Sequence, residues 1–500
     1  MTRLVSVSNR VATPRRAPAA GGLTVGVLAA MRAYGGLWFG WSGDASDNDD
    51  APIAVSTRRN VEFATFDLPR KDSELYYGGF CNGALWPLCH YFVDALRYSE
   101  AQYDAYVRVN RLFAERLAPL LRDDDLVWVH DYHLLRLAGE LRALGFAQPI
   151  GFFLHVPFPH LEALRALPRY AELVTALLEY DVVGFQTSRD LACFRSAVEA
   201  ALGSAVFPCP CEVERVDRAT RLGVFPIGVD VDDIRREATE SQASDTVRRM
   251  NSGLQGRRCV IGVDRLDYSK GLVERFEAYE TLMASHPEFR SRLTFLQIAP
   301  LSRAGLRHYA TIREALEQTA GRINGRFAET DWTPIRYLNR NFSHEVLMGF
   351  LRNAAVGVVT PMRDGMNLVA KEYVAAQDPE DPGVLVLSTL AGAAEELTDA
   401  LLVNPHDGGA VADAVHKALN MPSEERRARH ASMVRVLERN DLHAWHSRFV
   451  SELEARRPKY RRAEERAKSN GRGSAANAAR AESRTTGRAE AVGARPARHV

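Results

Sequence analysis

The stretch Val359-Thr360-Pro361-Met362-Arg363-Asp364-Gly365-Met366-Asn367-Leu368-Val369-Ala370-Lys371-Glu372-Tyr373 decides how the chain is read. The apolar run 356–359 predicts a buried parallel strand. Pro361 ends it, because proline has no N–H to give to a ladder. Gly365 permits a sharp turn. A helix follows, with Leu368, Val369, Tyr373 and Val374 spaced for one apolar face. Asp364 sits in the turn, and Glu372 lies on the helix about two turns further on. The helix N-terminus presents unpaired N–H groups and a partial positive charge, so a phosphate can lie there. Glu372 is then placed to hold the hydroxyls of a sugar joined to that phosphate. From this stretch alone the plainer reading has a slight edge: an ordinary βα unit with an exposed acid on its helix.

The same alternation extends outward. Strand-like runs at 4–7, 126–129, 150–154, 182–185 and 224–227 alternate with helical patterns over 23–34, 134–144, 171–180 and 190–202. Strands at 259–263, 293–298, 335–338, 356–359 and 384–387 alternate with helices over 272–285, 306–318, 345–353, 368–376 and 410–419. Repeated βα units imply an α/β protein with two doubly wound parallel sheets. A chain of 500 residues also exceeds one ordinary core. The polar segment 230–256, ending in Asn251-Ser252-Gly253, marks the boundary. The expected domains are residues 1–235 and 236–455, with a ligand cleft between the carboxyl ends of their strands. Residues 456–500 form a basic Ala/Arg-rich stretch, expected to be disordered and not a further domain.

The net charge of +1 supplies no global field to draw nucleic acid or an acidic membrane, so neither is an expected partner. No uncharged run approaches membrane-spanning length, and residues 4–7 begin a strand, not a signal peptide. The six cysteines show no metal-site spacing. Cys209-Pro-Cys211 is closer than the usual CxxC pair. Reduced thiols in a cytoplasmic protein are expected.

Chemistry-bearing residues gather at the strand ends. Ser8-Asn9-Arg10 follows the first strand, and Gly21-Gly22 opens the next helix, where a ligand can approach the backbone. The aromatic runs containing Trp41, Tyr77 and Trp86 can stack on sugar faces, although each alone reads as core. His130-Asp131-Tyr132-His133 closes another strand. Two histidines and an acid this close do not readily ligate one ion, so sugar or proton contacts rank above a metal. His155 ends the next strand. Arg265, Lys270 and Arg303 put cations at successive strand ends facing Asp364 and Glu372. A diphosphate leaving group needs such charge when no metal cage is evident.

On these residues the chain resembles the trehalose-6-phosphate synthases, a family of retaining glycosyltransferases with the GT-B fold. The resemblance runs from residue 1 to about 455. It rests on long motifs: Leu4-Val5-Ser6-Val7-Ser8-Asn9-Arg10, Gly35-Gly36-Leu37-Trp38-Phe39-Gly40-Trp41, Val129-His130-Asp131-Tyr132-His133-Leu134, Gly151-Phe152-Phe153-Leu154-His155, Arg265-Leu266-Asp267-Tyr268-Ser269-Lys270-Gly271 and Arg363-Asp364-Gly365-Met366-Asn367-Leu368. The segments 13–20, 209–218 and the tail look particular to this chain.

The resemblance implies transfer of glucose from UDP-glucose to glucose 6-phosphate with retention, giving trehalose 6-phosphate and UDP. It implies no cofactor and no metal. It assigns catalysis to Asp364, His155, Arg265 and Lys270. For the donor it implies Gly21, Gly22, Arg265, Lys270, Phe342, Asp364, Met366, Asn367, Leu368, Val369 and Glu372. For the acceptor it implies Arg10, Trp41, Tyr77, Trp86, Asp131 and Arg303. It also implies a last helix that crosses back to the first domain. The expected setting is a cytoplasmic homo-oligomer, a dimer or tetramer, serving stress response and osmoprotection. A front-face displacement, in which the departing phosphate takes the acceptor's proton, fits a site rich in cations. The alternatives are a sister glucosyltransferase using another phosphorylated acceptor such as glycerol 3-phosphate, a sugar-phosphate sensor, and a dehydrogenase, which the absent glycine fingerprint disfavours.

Overall fold

In the computed structural model, residues 3–12, 22–48, 52–202, 206–216, 218–301 and 307–457 are described. The expected sites at Gly21 and Arg303, and the expected disordered tail from 458 on, lie outside them.

The first sheet contains β1 (Leu4–Arg10), β2 (Gly36–Ser46), β3 (Ala54–Arg58), β4 (Val61–Pro69), β5 (Leu126–His130), β6 (Ile150–Phe153), β7 (Val182–Phe185), β8 (Val206–Cys209), β9 (Glu212–Glu214) and β10 (Ala219–Val224). Among the described residues its order is β3-β4-β2-β1-β5-β6-β7-β10-β9-β8. The interior is parallel, and the edge strands β3, β8 and β9 pair antiparallel. The second sheet contains β11 (Arg258–Val263), β12 (Leu293–Ile298), β13 (Ile335–Leu338), β14 (Val356–Val359), β15 (Val384–Ser388) and β16 (Leu401–Val403). Its order is β13-β12-β11-β14-β15-β16, parallel throughout. Two sheets with parallel interiors, each covered by helices, are the GT-B architecture that the motifs imply.

The run that opened the reading folds as expected. All of β14 is buried, and the Leu368–Ala376 helix lies flat on it. Tyr373 makes that possible: its ring occupies the space where a Cβ on Gly357 would be, at 2.7 Å. Its hydroxyl donates to the Ala354 carbonyl at 3.0 Å. Burying one such ring stabilises by about 1.5–3 kcal/mol.

Several expectations need correction. The run 224–227 is not a strand; β10 ends at Val224, its polar Thr220 and Arg221 having hidden it. The helix expected over 306–318 runs Arg307–Phe327. The one expected over 134–144 shortens to Leu137–Ala143, after a 3-10 turn at Tyr132–Leu134. The polar segment 230–256, read as the boundary, is helical. It forms the helices Val231–Glu240 and Asp245–Leu254, capped by the side chains of Asp230 and Ser244. Their exposed faces carry the charge, while Val231, Ile234, Ala238, Val247 and Leu254 face the core. Tyr76, Tyr77, Gly78 and Gly79 sit in a π-helix, Glu74–Leu85.

The Leu442–Glu454 helix packs on the first sheet. Phe449 stacks on Trp128 at 4.5 Å and 11°, and Trp445 lies 4.9 Å from the same ring. Gly151 and Gly184 leave room for Phe449, since a Cβ on either would meet its ring at 2.7 and 2.9 Å. Among the described residues, no helix is long and apolar enough to cross a membrane.

Candidate active site

In each sheet the chain reverses its direction of strand addition beside one strand: at β1, flanked by β2 and β5, and at β11, flanked by β12 and β14. Such switch points open a crevice beyond the carboxyl ends. The candidate residues follow those strands. Arg10 ends β1, Asp131 follows β5, His155 follows β6, Arg265 and Lys270 follow β11, and Asp364 follows β14.

The turn after β14 is docked on the turn after β11. Met362 N and Arg363 N both donate to the Ser269 carbonyl, at 2.8 and 3.4 Å. Asp267 Oδ1 shapes the β11 turn by accepting from Ser269 N and Oγ, at 3.0 and 2.9 Å. Gly271 closes it at φ 62°, and a Cβ there would sit 2.6 Å from the Thr360 carbonyl. These constraints bring the Lys270 ammonium onto Asp364 Oδ2. Asn367 Nδ2 donates to the same oxygen at 3.0 Å. Burial pushes the Asp364 carboxyl up. The charge and hydrogen bond of Lys270, with His90 and Asn367, outweigh it and hold the carboxylate below its ordinary range. The expected phosphate cation is thus paired with the expected sugar acid.

Asn367 takes up φ 71° at the head of the Leu368–Ala376 helix, and no side chain caps that end. Its first N–H groups, those of Leu368 and Val369 among them, are therefore left without a side-chain cap. Met366 is buried, and its carbonyl accepts from Ala393 N at 2.8 Å. Glu372 does not meet Asp364. Its Oε1 lies 3.7 Å from His344 Nε2, while His344 Nδ1 lies 2.6 Å from Glu237 Oε2. The Glu372 carboxylate pushes His344 up to about 9 against its partial burial, with Glu237 adding to the effect. An imidazolium therefore bridges the two acids at neutral pH. Phe342 packs against Phe350 at 5.2 Å, with the Arg340 guanidinium 4.4 Å above it.

On the opposite face, the Arg10 guanidinium lies over Trp41 at 4.5 Å and Tyr77 at 4.8 Å. Tyr77 in turn stacks on His133 at 6.0 Å. Trp86 is buried, with the Arg265 guanidinium 5.8 Å from its ring across the domain interface. Asp131 sits at φ 76°, a strained conformation for a residue with a side chain. Its Oδ1 accepts from the His155 N–H at 3.2 Å. His155 Nε2 lies 3.2 Å from His130 Nδ1, so one of the two rings carries the shared proton. Burial pushes His155 down to about 3, which leaves a neutral imidazole. Gly22 opens the helix Gly22–Tyr34.

The two faces touch. A Cβ on Gly365 would sit 2.1 Å from the His155 carbonyl. Arg363 lies over Tyr91 at 4.7 Å and 3.9 Å from Asp190. Ser188 Oγ donates to Glu395 at 2.9 Å.

Four residues escaped sequence reasoning: His90, Arg275, His344 and Arg363. Arg275 is 2% exposed and binds Asp264, Gln297, Thr360 Oγ1 and the Lys270 carbonyl. It joins the ends of β11, β12 and β14. Its signal was legible as an arginine between Leu272 and Phe276 on an apolar face. The other three carry no such signal. Among the described residues, His286, Glu288 and His416 are spaced for a metal. They lie at the far end of the Leu272–Ser285 helix, about 20 Å along it from Lys270.

The glycosyltransferase family 20 sequence model matches residues 7–455. The chain belongs to glycosyltransferase family 20. It is 47% identical over 460 residues to the trehalose-6-phosphate synthase of Klebsiella pneumoniae, covering 91% of this chain and 95% of that one. The crystal structure of an alpha,alpha-trehalose-phosphate synthase (UDP-forming) from Burkholderia vietnamiensis superposes with a TM-score of 0.88 at 50% identity, covering 91% and 97%. A Burkholderia xenovorans enzyme of the same description, in complex with glucose-6-phosphate, gives 0.87 at 48% identity, covering 90% and 100%. As a family 20 chain, this protein is a glycosyltransferase, and its paired switch points supply the two binding faces such a transfer needs.

Proposed function

We propose that this glycosyltransferase moves glucose from UDP-glucose to glucose 6-phosphate with retention, giving trehalose 6-phosphate and UDP. The observation that carries this is the opposition of two faces. A cation–acid pair beside an uncapped helix N-terminus, Lys270–Asp364 and Leu368, lies across from an arginine on an aromatic platform, Arg10 on Trp41 and Tyr77. The first suits a diphosphate-linked sugar, the second a sugar phosphate. The substrates of the relatives support the same reading.

In this proposal Arg265, Lys270 and the N–H groups of Leu368 and Val369 hold the diphosphate. Glu372, oriented by His344, takes the ribose hydroxyls, and the backbone at Phe342 takes uracil. Asp364 and neutral His155 hydrogen-bond the transferred glucose. Arg10, with Arg303, binds the acceptor phosphate, while Tyr77, Trp86 and Asp131 shape its sugar site. As UDP leaves, Lys270 shifts its charge from Asp364 toward the departing phosphate. Both Asp364 and Asp131 are already engaged, by Lys270 with Asn367 and by the His155 N–H. That supports a front-face step in which the phosphate oxygen takes the acceptor proton and no side chain is glycosylated. No metal or cofactor takes part, and the setting is a cytoplasmic, homo-oligomeric enzyme of stress response and osmoprotection.

The test is a matrix of UDP-, GDP- and ADP-glucose against glucose 6-phosphate and glycerol 3-phosphate, with product identification. Trehalose 6-phosphate and UDP are expected as the dominant products. A faster reaction with glycerol 3-phosphate would overturn the acceptor, and a glycosylated side chain would overturn the front-face step.

A further inference from the structure

Four of the six cysteines, Cys81, Cys89, Cys193 and Cys259, are buried. Burial pushes the thiols of Cys89, Cys193 and Cys259 up, the last to about 12. Such thiols are inert. Cys209 and Cys211 differ in every respect. Cys209 ends β8 and Cys211 lies in the two-residue turn to β9 at the sheet edge, where Cys209 pairs with Glu212. Both are partly exposed, and their sulfurs lie 2.8 Å apart. Pro210 between them restricts the backbone of the turn, so little freedom is lost on joining them. The hairpin is also held in place. Glu212 pairs with Arg456 at 2.8 Å, and Leu222 N donates to the Cys211 carbonyl at 2.8 Å. The glycosyl-transfer chemistry uses none of this.

We propose that Cys209 and Cys211 are a redox-active dithiol that closes reversibly to an intramolecular disulfide in exchange with low-molecular-weight disulfides. The Cys209 thiolate attacks one sulfur of the small disulfide, forming a mixed disulfide and releasing one small thiolate. Cys211 then loses its proton and attacks the Cys209 sulfur, expelling the second small thiolate. The dithiol loses two electrons and two protons, and the small disulfide is reduced to two thiols. Cys209 is the attacking sulfur because the hydrogen bond from Cys211 holds it below the usual thiol range, while the same bond holds Cys211 above it. The Arg221 guanidinium, paired with Glu452 at 3.3 Å, adds positive charge beside Cys211.

The test equilibrates the reduced full-length protein with glutathione and glutathione disulfide at a series of ratios, alkylates the free thiols and maps the peptides. The expected result is loss of two alkylatable thiols, both on the peptide spanning Cys209 and Cys211, and their recovery when the ratio is reversed. Cys211→Ser should stop at a stable glutathione adduct on Cys209. Four outcomes would overturn the proposal: both thiols alkylated at every ratio, single glutathione adducts on the wild-type chain, disulfides between chains, or an equal loss of the four buried thiols.

Discussion

Lys270 and Asp364 form an ion pair, and in the proposed reaction a departing diphosphate competes with the carboxylate for the same ammonium. Lys270→Ala should therefore lower kcat by about 10²–10³-fold while changing the UDP-glucose KM far less. Steady-state kinetics check this, and an unchanged kcat with a raised KM would assign Lys270 to uniform binding. His344 makes a pH prediction. Its folded pKa, about 9, exceeds the usual unfolded value of about 6.5. Its stabilising bridge is thus fully present below about pH 6.5 and lost as pH rises through about 9. The UDP-glucose KM should rise over that upper range as Glu372 loses its partner, and His344→Lys should abolish the rise. His155 has the opposite sign. Pushed down to about 3, it stays neutral in the fold, while the unfolded chain takes up the proton first, so it costs stability below about pH 6.5.

The elements that carry these residues meet through glycines. Gly365 lets the turn after β14 touch the backbone of His155, and Gly392 lets the following 3-10 turn lie against Gly365, whose carbonyl is 1.9 Å from where a Cβ would be. Backbone cannot give way as a flexible side chain can, so Gly365→Ala must separate the two faces. It should reduce kcat/KM by about 10²-fold, roughly the cost of a 1 Å misplacement, a loss larger than the accompanying fall in melting temperature explains. Equal losses in activity and stability would place the effect in folding. The π-helix Glu74–Leu85 shows what patterning misses at this scale. Its hydrogen-bond period is neither 3.6 nor 2, so Tyr77 could be read as an aromatic but not as part of a helix. Arg275 was legible only as an anomaly, because two of its four partners, Gln297 and Thr360, lie 22 and 85 positions along the chain.

The two domains are joined where the chain passes between them. Lys371, fully buried, donates to the Ile227 carbonyl at 2.7 Å and to Glu396 at 2.5 Å, and Glu396 accepts from Asn440 at 2.8 Å. Gly228 lies against the Asn440 and Asp441 backbone, with a Cβ position 2.2 Å from the Asn440 carbonyl. One ammonium on the Leu368–Ala376 helix thus ties both crossing points together. Lys371→Met keeps the volume but strands the Glu396 carboxylate, which should cost about 3–5 kcal/mol. Denaturant unfolding measures this. The double variant Lys371→Met, Glu396→Gln should recover most of the loss if the stranded charge is its cause.

By itself the sequence determined the βα alternation at β1, β5, β6 and β7 and at β11 to β15, though not β2 to β4, β8 to β10 or β16, together with the turn at Asp364–Gly365, the helix behind it and the cations at the strand ends. Those features are local: burial runs, glycine and proline positions, and motif spacing all act within about ten residues. Only the tertiary structure decided that Lys270 and Asp364 are partners, that Glu372 belongs with His344 and Glu237, and that 230–256 is packed helix. It also decided that Cys209 and Cys211 are the partly exposed sulfur pair among the described cysteines. These depend on which strand ends and faces the fold brings within hydrogen-bonding range. Contacts of a few ångströms between residues a hundred positions apart leave no periodicity for a sequence to display.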